Sequence, residues 1–168
     1  MPRGLKENSA LITISCDVVE TAANTFTSER IDLQLNPLDQ EVFIVYGVDL
    51  DCREPDSQAG ATSLSTGSLS TTQRTSVGTL NDSNVMAASR TVIQNDGVTA
   101  VVTEFKSDST PVGDLPYIGI ISTNDFFLNI LGTGNSAAKS MSAKVYGVRA
   151  RADANIYAAL VNSEMLSA

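Results

Sequence analysis

Apolar and polar residues alternate one by one through most of this chain, the pattern of extended strands that bury a single face. In residues 11–19, Ile12, Ile14, Cys16 and Val18 share one parity, while Thr13, Ser15 and Asp17 take the other. Residues 26–35 repeat the pattern, with Ile31, Leu33 and Leu35 between Arg30, Asp32 and Gln34. Asn36-Pro37-Leu38-Asp39 then predicts a turn, because proline fixes φ and asparagine favours a bend. The longest alternation follows at 41–52, with Val42, Ile44, Tyr46, Val48 and Leu50 in phase.

Residues 53–76 break the rhythm. They are rich in Ser, Thr and Gly, with only Leu64 and Leu69 as apolar anchors before Val77. The expectation here is weak strand fragments joined by long surface loops, then a turn or short helix over 80–86. Strands resume at 87–94 and 98–106, joined through Asn95-Asp96-Gly97, a hairpin signal because glycine tolerates positive φ. Strands at 115–122, 125–131 and 141–151 complete about eight, with turn signals at the spacing of a sandwich or barrel. Beyond Asp153, a potential N-cap, Ile156, Tyr157, Leu160, Val161 and Met165 recur at helical spacing. A short amphipathic helix of this kind needs a surface to cover, on its own domain or on a neighbouring copy.

One tetrapeptide occurs twice. Val-Tyr-Gly-Val stands at 45–48 and again at 145–148, continuing as Asp49-Leu50-Asp51 in the first copy and Arg149-Ala150-Arg151 in the second. Strict alternation would turn Tyr46, Val48 and Leu50 to one face, and Tyr146, Val148 and Ala150 likewise. The expectation is that 45–51 and 145–151 are antiparallel neighbours, tyrosines inward, with Asp49 and Asp51 facing Arg149 and Arg151 across the ladder.

Composition sharpens this picture by exclusion. The chain has 168 residues, of which 42% are hydrophobic and 18% charged, suiting one folded domain. A net charge of −8 argues against broad contact with nucleic acid. There is no histidine, so a Ser-His-Asp or Cys-His nucleophile cannot be built and the commonest metal ligand is missing. An enzyme is therefore not expected, and no cofactor or metal is implied. Cys16 and Cys52 are too few for a disulfide framework and are expected as buried thiols, with a single bridge between them left open.

Other candidates also reduce to structure. Asp49, Asp51, Glu54 and Asp56 form the densest acidic cluster, but their spacing does not match an EF-hand loop, and a solvated strand end is expected. Gly132-Thr133-Gly134-Asn135 lacks the lysine and hydroxyl of a P-loop and predicts a turn. Phe126 and Phe127 are consecutive, so one belongs in the core and the other under a loop or another subunit. No stretch reaches the length of a membrane span, and the start of the chain reads as a strand and not as a signal peptide.

The strand through Glu41-Val42-Phe43-Ile44-Val45-Tyr46-Gly47-Val48-Asp49, the segment Ile31-Asp32-Leu33 and the closing Val145-Tyr146-Gly147-Val148-Arg149-Ala150-Arg151-Ala152-Asp153 resemble the single jelly-roll capsid proteins of tailless icosahedral viruses. The likeness spans most of the chain in architecture and texture. It implies an all-β, eight-stranded antiparallel jelly-roll sandwich over 1–168, with an N-terminal arm at 1–9 and a C-terminal helical tail at 153–168. It implies a virion protein made in the host cytoplasm, forming trimeric to hexameric capsomers and then an icosahedral shell with other capsid proteins. Asp49, Asp51, Arg149, Arg151, Ile156, Tyr157, Leu160 and Val161 would then serve assembly or strand pairing. The acidic chain departs from capsid proteins with a basic genome-binding arm. Such a shell would enclose a membrane vesicle or leave genome contact to other proteins. The alternative is a β-sandwich module that binds carbohydrate or another ligand, a reading weakened by the absence of Trp and an aromatic content of only 5%.

Overall fold

The computed structural model describes residues 4–106 and 115–167. Two antiparallel sheets face each other, and one helix covers part of an outer face. The first sheet holds β1 (Leu5–Glu7), β2 (Ile12–Val19), β4 (Glu41–Cys52), β8 (Gly119–Ile121) and β10 (Ser140–Ala152). Its order is β1-β10-β4-β8, and β2 pairs with β10 on the same edge as β1. The second has the order β3-β9-β5-β6-β7. Its strands are β3 (Thr27–Asp32), β5 (Ala61–Ser70), β6 (Val85–Asn95), β7 (Ala100–Lys106) and β9 (Asp125–Thr133). The helix α1 (Ala154–Leu166) follows β10 almost directly.

The pairings nest. β5 pairs with β6, β4 with β8, β3 with β9 and β2 with β10. Two further seams, β4–β10 and β5–β9, join these pairs into the two sheets. Between the sheets lies the main core, which includes Val18, Phe43, Val45, Val48, Leu50, Leu69, Phe126, Leu128, Ile130, Met141 and Val145.

The described residues carry ten strands where the alternation predicts about eight, and the largest correction is β5. Residues 61–70 form one regular ten-residue strand in the middle of its sheet, not fragments between loops. Its core-facing positions are Ser63, Ser65, Gly67 and Leu69, so polarity hides the alternation. Small residues are required there because the opposite sheet fills the space: a Cβ on Gly67 would stand 2.2 Å from the sulfur of Met141. The hydroxyls of Ser65 and Ser89 are buried with no partner among the described residues. These serines act as small spacers in a sheet-to-sheet layer. On the other face, Ser68 and Ser70 are covered too, with Gly78 N–H donating to Ser68 Oγ and Asn129 Nδ2 to Ser70 Oγ. The segment 80–84 is turn and not helix, and only residues 119–121 of the predicted strand 115–122 are extended and paired. Residues 107–114, the connection between the strands expected at 98–106 and 115–122, lie outside the described residues.

The two Val-Tyr-Gly-Val segments are antiparallel neighbours, with Val145 opposite Val48, Tyr146 opposite Gly47 and Val148 opposite Ile44. The tyrosines do not point inward. Gly147 opposes Val45, so Tyr46 is the extra residue of a β-bulge, and the phase of β4 shifts there. Before the bulge Phe43 and Val45 enter the core, and after it Val48 and Leu50 do, leaving Tyr46 on the outer face. β10 has no extra residue, so Tyr146, Val148 and Ala150 face outward and Gly147 and Arg149 inward. Val42–Val45 are buried on both faces, Phe43 and Val45 in the core and Val42 and Ile44 on the outer side: Val42, Ile44 and Val45 are 0% exposed and Phe43 1%.

The inward turn of Gly147 has a steric reason. A Cβ there would lie 2.3 Å from the Ile44 carbonyl oxygen and 2.6 Å from the Phe43 ring. The backbone neighbour cannot retreat without opening the seam. Gly147→Ala is expected to destabilise the protein by about 1–3 kcal/mol, read as a lower urea midpoint. An unchanged midpoint would show that the seam has room.

Cys16 and Cys52 are free thiols. They face the core on β2 and β4, which flank β10, so two strand spacings of about 4.8 Å separate them, beyond disulfide reach. Burial chiefly pushes both thiols up to about 11, so they stay protonated near neutrality.

Candidate functional site

The outer face of the first sheet is divided at the bulge. On one half, Val42, Ile44, Val148, Ala150 and Ala152 form a second apolar cluster, joined by Leu5, Tyr46, Tyr117 and Ile120. Helix α1 covers this half, laying Ile156, Tyr157 and Leu160 onto it. The apolar stripe of the helix is thus spent on its own domain, and these three residues are not a free face for a neighbouring copy. Val161 is half-buried, while Met165 and Leu166 at the end of the helix are 67% and 87% exposed.

The helix is held by one carboxylate. Glu164, 7% exposed, accepts from Ser122 N–H (2.8 Å), Ser122 Oγ (2.5 Å) and Thr123 N–H (3.2 Å) at one oxygen, and from Thr123 Oγ1 (2.7 Å) at the other. These donors follow β8, so the last turn of α1 is tied to the edge of the sheet beneath. At its start, Asp153 stands at the N-cap but makes no side-chain capping bond. Its N–H donates to the carbonyl of Gly4, and a Cβ on Gly4 would overlap Ile156. The N-terminal strand and the helix therefore fit as one unit.

The other half of that outer face is open and polar. Asp17, Asp49, Asp51, Arg53, Ser142 and Lys144 line a shallow groove of about 590 Å³. Tyr146 hydrogen-bonds Asp49 here, which raises its phenol above the ordinary value. Among the described residues no three Cys, Asp or Glu side chains converge on a point that could hold a metal ion.

The expected ion pairs of Asp49 and Asp51 with Arg149 and Arg151 do not form. Antiparallel alignment carries the charged ends of the two repeats apart: Asp49 stands opposite Lys144 and Asp51 opposite Ser142, while Arg151 meets Glu41 and Arg149 meets Phe43. Arg149 instead clamps the connection between β3 and β4. Its guanidinium lies 3.4 Å from Glu41 and donates to the carbonyls of Leu33 (2.9 Å) and Gln34 (3.3 Å).

A second polar lock closes the far end of the sandwich. The buried carboxylate of Glu20 accepts from the N–H groups of Thr25, Gly132 and Lys139. Asn135 donates to Leu64 O and accepts from Asp56 N–H. Asp56 in turn meets Lys139 Nζ at 2.6 Å and both the N–H and hydroxyl of Ser136. The Lys139 ammonium, then the Ser136 hydroxyl and N–H, hold the Asp56 carboxyl far below the usual carboxylate range. Of the acidic cluster seen in sequence, Asp56 is thus a strut, whereas Asp49 and Asp51 are solvated.

Phe126 lies in the core at 0% exposed, and Phe127 is half-buried on the outer face of the second sheet. That sheet ends in β7, whose Val101, Val102 and Phe105 are 56%, 59% and 50% exposed. No described helix is long and apolar enough to cross a membrane. No protein-family model matches the chain, and no curated protein matches its sequence. Fold and surface together define an all-β protein of two packed antiparallel sheets with one docked C-terminal helix.

Both locks predict measurable behaviour. Glu164→Ala strands four buried or half-buried donors and is expected to cost about 1–3 kcal/mol, with amide exchange rising across residues 154–167 but not in β4 and β10. The depressed Asp56 favours the folded state above the unfolded carboxylate value of about 4, and that contribution is lost as pH falls toward the lower folded value. Asp56→Asn should flatten the fall in stability below that pH, and an unchanged acid profile would exclude the lock from acid unfolding.

Proposed function

We propose that this protein is a virion structural protein, a single jelly-roll capsid subunit of a tailless icosahedral virus that self-assembles into capsomers and a shell. The nested pairing carries the reading. Setting β1 and β7 aside, the orders β2-β10-β4-β8 and β3-β9-β5-β6 support an eight-stranded jelly roll, an architecture used by viral capsid, lectin and cupin domains. A chain without histidine is poorly equipped for the metal chemistry of such scaffolds.

Three features favour the capsid branch. Polar locks stiffen both ends of the sandwich, and a rigid block suits repeated, symmetric contact. Helix α1 thickens one outer face, so the block presents a helical flank and an open polar flank. An apolar edge strand remains available for neighbours. The net charge of −8 favours a shell that leaves genome contact to other proteins or surrounds a membrane vesicle. On this reading the protein resides in the virion, and it carries out no catalysis.

The purified protein is expected to form stable trimers to hexamers or larger closed particles by light scattering and electron microscopy. A monodisperse monomer at high concentration would overturn the assignment.

A further inference from the structure

We propose that β7 is the contact edge for a second copy of this chain, the two β7 strands pairing antiparallel about a two-fold axis at Thr103. Two second sheets would thereby join into one. The inference rests on the self-association proposed above and names the surface that performs it.

A strand edge selects its partner by backbone chemistry. β7 is paired through β6 alone among the described residues, and the N–H and C=O groups of its other edge call for an extended strand. The other edge strands carry protection. β3 presents Glu29, Arg30 and Asp32, β1 presents Lys6 and Glu7, β2 presents the polar row Thr13, Ser15 and Asp17 on its exposed face, and β8 is only three residues long. β7 is seven residues long and exposes apolar side chains on both faces: Val101 and Phe105 on the outer face, Val102 on the inner.

The strand is also self-complementary, as a closed two-fold contact requires. With the axis at Thr103, Val101 stands opposite the partner's Phe105 and Phe105 opposite the partner's Val101, two aromatic–β-branched pairs. Moving the axis by one residue to sit at Glu104 would set that carboxylate against itself. Arg90 lies 4.5 Å over the Phe105 ring, so the ring is already held on the face where the pair would form. Charge along this strip is mixed: Arg90 and Glu104 carry opposite signs, and Lys106 shares a cleft with Asp49 and Asp51.

Two variants and one cross-link test the contact. Both substituted valines of Val101→Lys/Val102→Lys stand more than half exposed, so the fold is retained, as circular dichroism would verify. The double variant should weaken self-association roughly tenfold or more in sedimentation equilibrium. Thr103→Cys should give a covalent dimer under mild oxidation, because directly opposed antiparallel residues lie within disulfide reach. Glu29→Cys, exposed on β3, should not, and the unmodified chain, with Cys16 half-buried and Cys52 buried, serves as the background. If the protein assembles but the lysine variant matches it and Thr103→Cys stays uncoupled, β7 is not the edge and the capsid reading stands. If the unmodified protein remains monomeric throughout, both fall.

Discussion

The structure depends on the seam where β4 and β10 lie side by side. Eleven residue pairs run along it, broken once at the bulge. Two opposite demands meet there. The core between the sheets must be filled by Phe43 and Val45 above the bulge and by Val48 and Leu50 below it. The outer face must also be apolar where helix α1 rests and polar where it does not. In β4 the core-facing residues are odd-numbered before Tyr46 and even-numbered after it, so one extra residue is needed to keep both sets inward. Tyr46 is that residue, and Gly147 on β10 leaves room for the Phe43 ring and the Ile44 carbonyl. At the same level the outer face of both strands changes from apolar to polar.

Elsewhere, carboxylates replace hydrophobic contact as the fastening. Glu20 and Glu164 are almost wholly buried, each surrounded by N–H or hydroxyl donors and, among the described residues, neither facing a cation at hydrogen-bond distance. Such a group is costly to bury and correspondingly intolerant of a missing donor. It therefore fixes loop geometry more sharply than an apolar contact, which can slide. At one end the lock joins three connections of the roll, and at the other it sets the angle at which α1 leaves the sheet edge.

How much of this was legible in the sequence depended on parity and direction. β2 and the first half of β10 announce themselves because one face is apolar and the other is not, whereas β4 and β9 are apolar on both faces over much of their length. β5 was hidden because its inward positions are Ser63, Ser65 and Gly67, which are buried for their size and not their hydrophobicity. The repeat rightly suggested adjacency, but it could not disclose the bulge, since Tyr46 reads as an ordinary member of the alternation. The charge pairing failed for a geometric reason: two copies of one motif run antiparallel cannot bring their downstream residues together. Glu164 left no signal, because an acid on a short helix ordinarily faces water. Its role emerges only when Ser122 and Thr123 arrive beneath it from a distant turn.

The nested pairing also dictates an order of events. The β5–β6 and β6–β7 hairpins are local and can form early, but the other partnerships wait for β8, β9 or β10. Arg149 N–H bonds Ser9 Oγ across 140 positions, and β2 remains unpaired in its sheet until β10 exists. Contacts so distant pay their loop-closure entropy before any return, which slows folding. On a ribosome, the first half of the roll would emerge with its strand edges bare. The first sheet is therefore complete only once β10 stands between β2 and β4, with the helix behind it resting on the sheet.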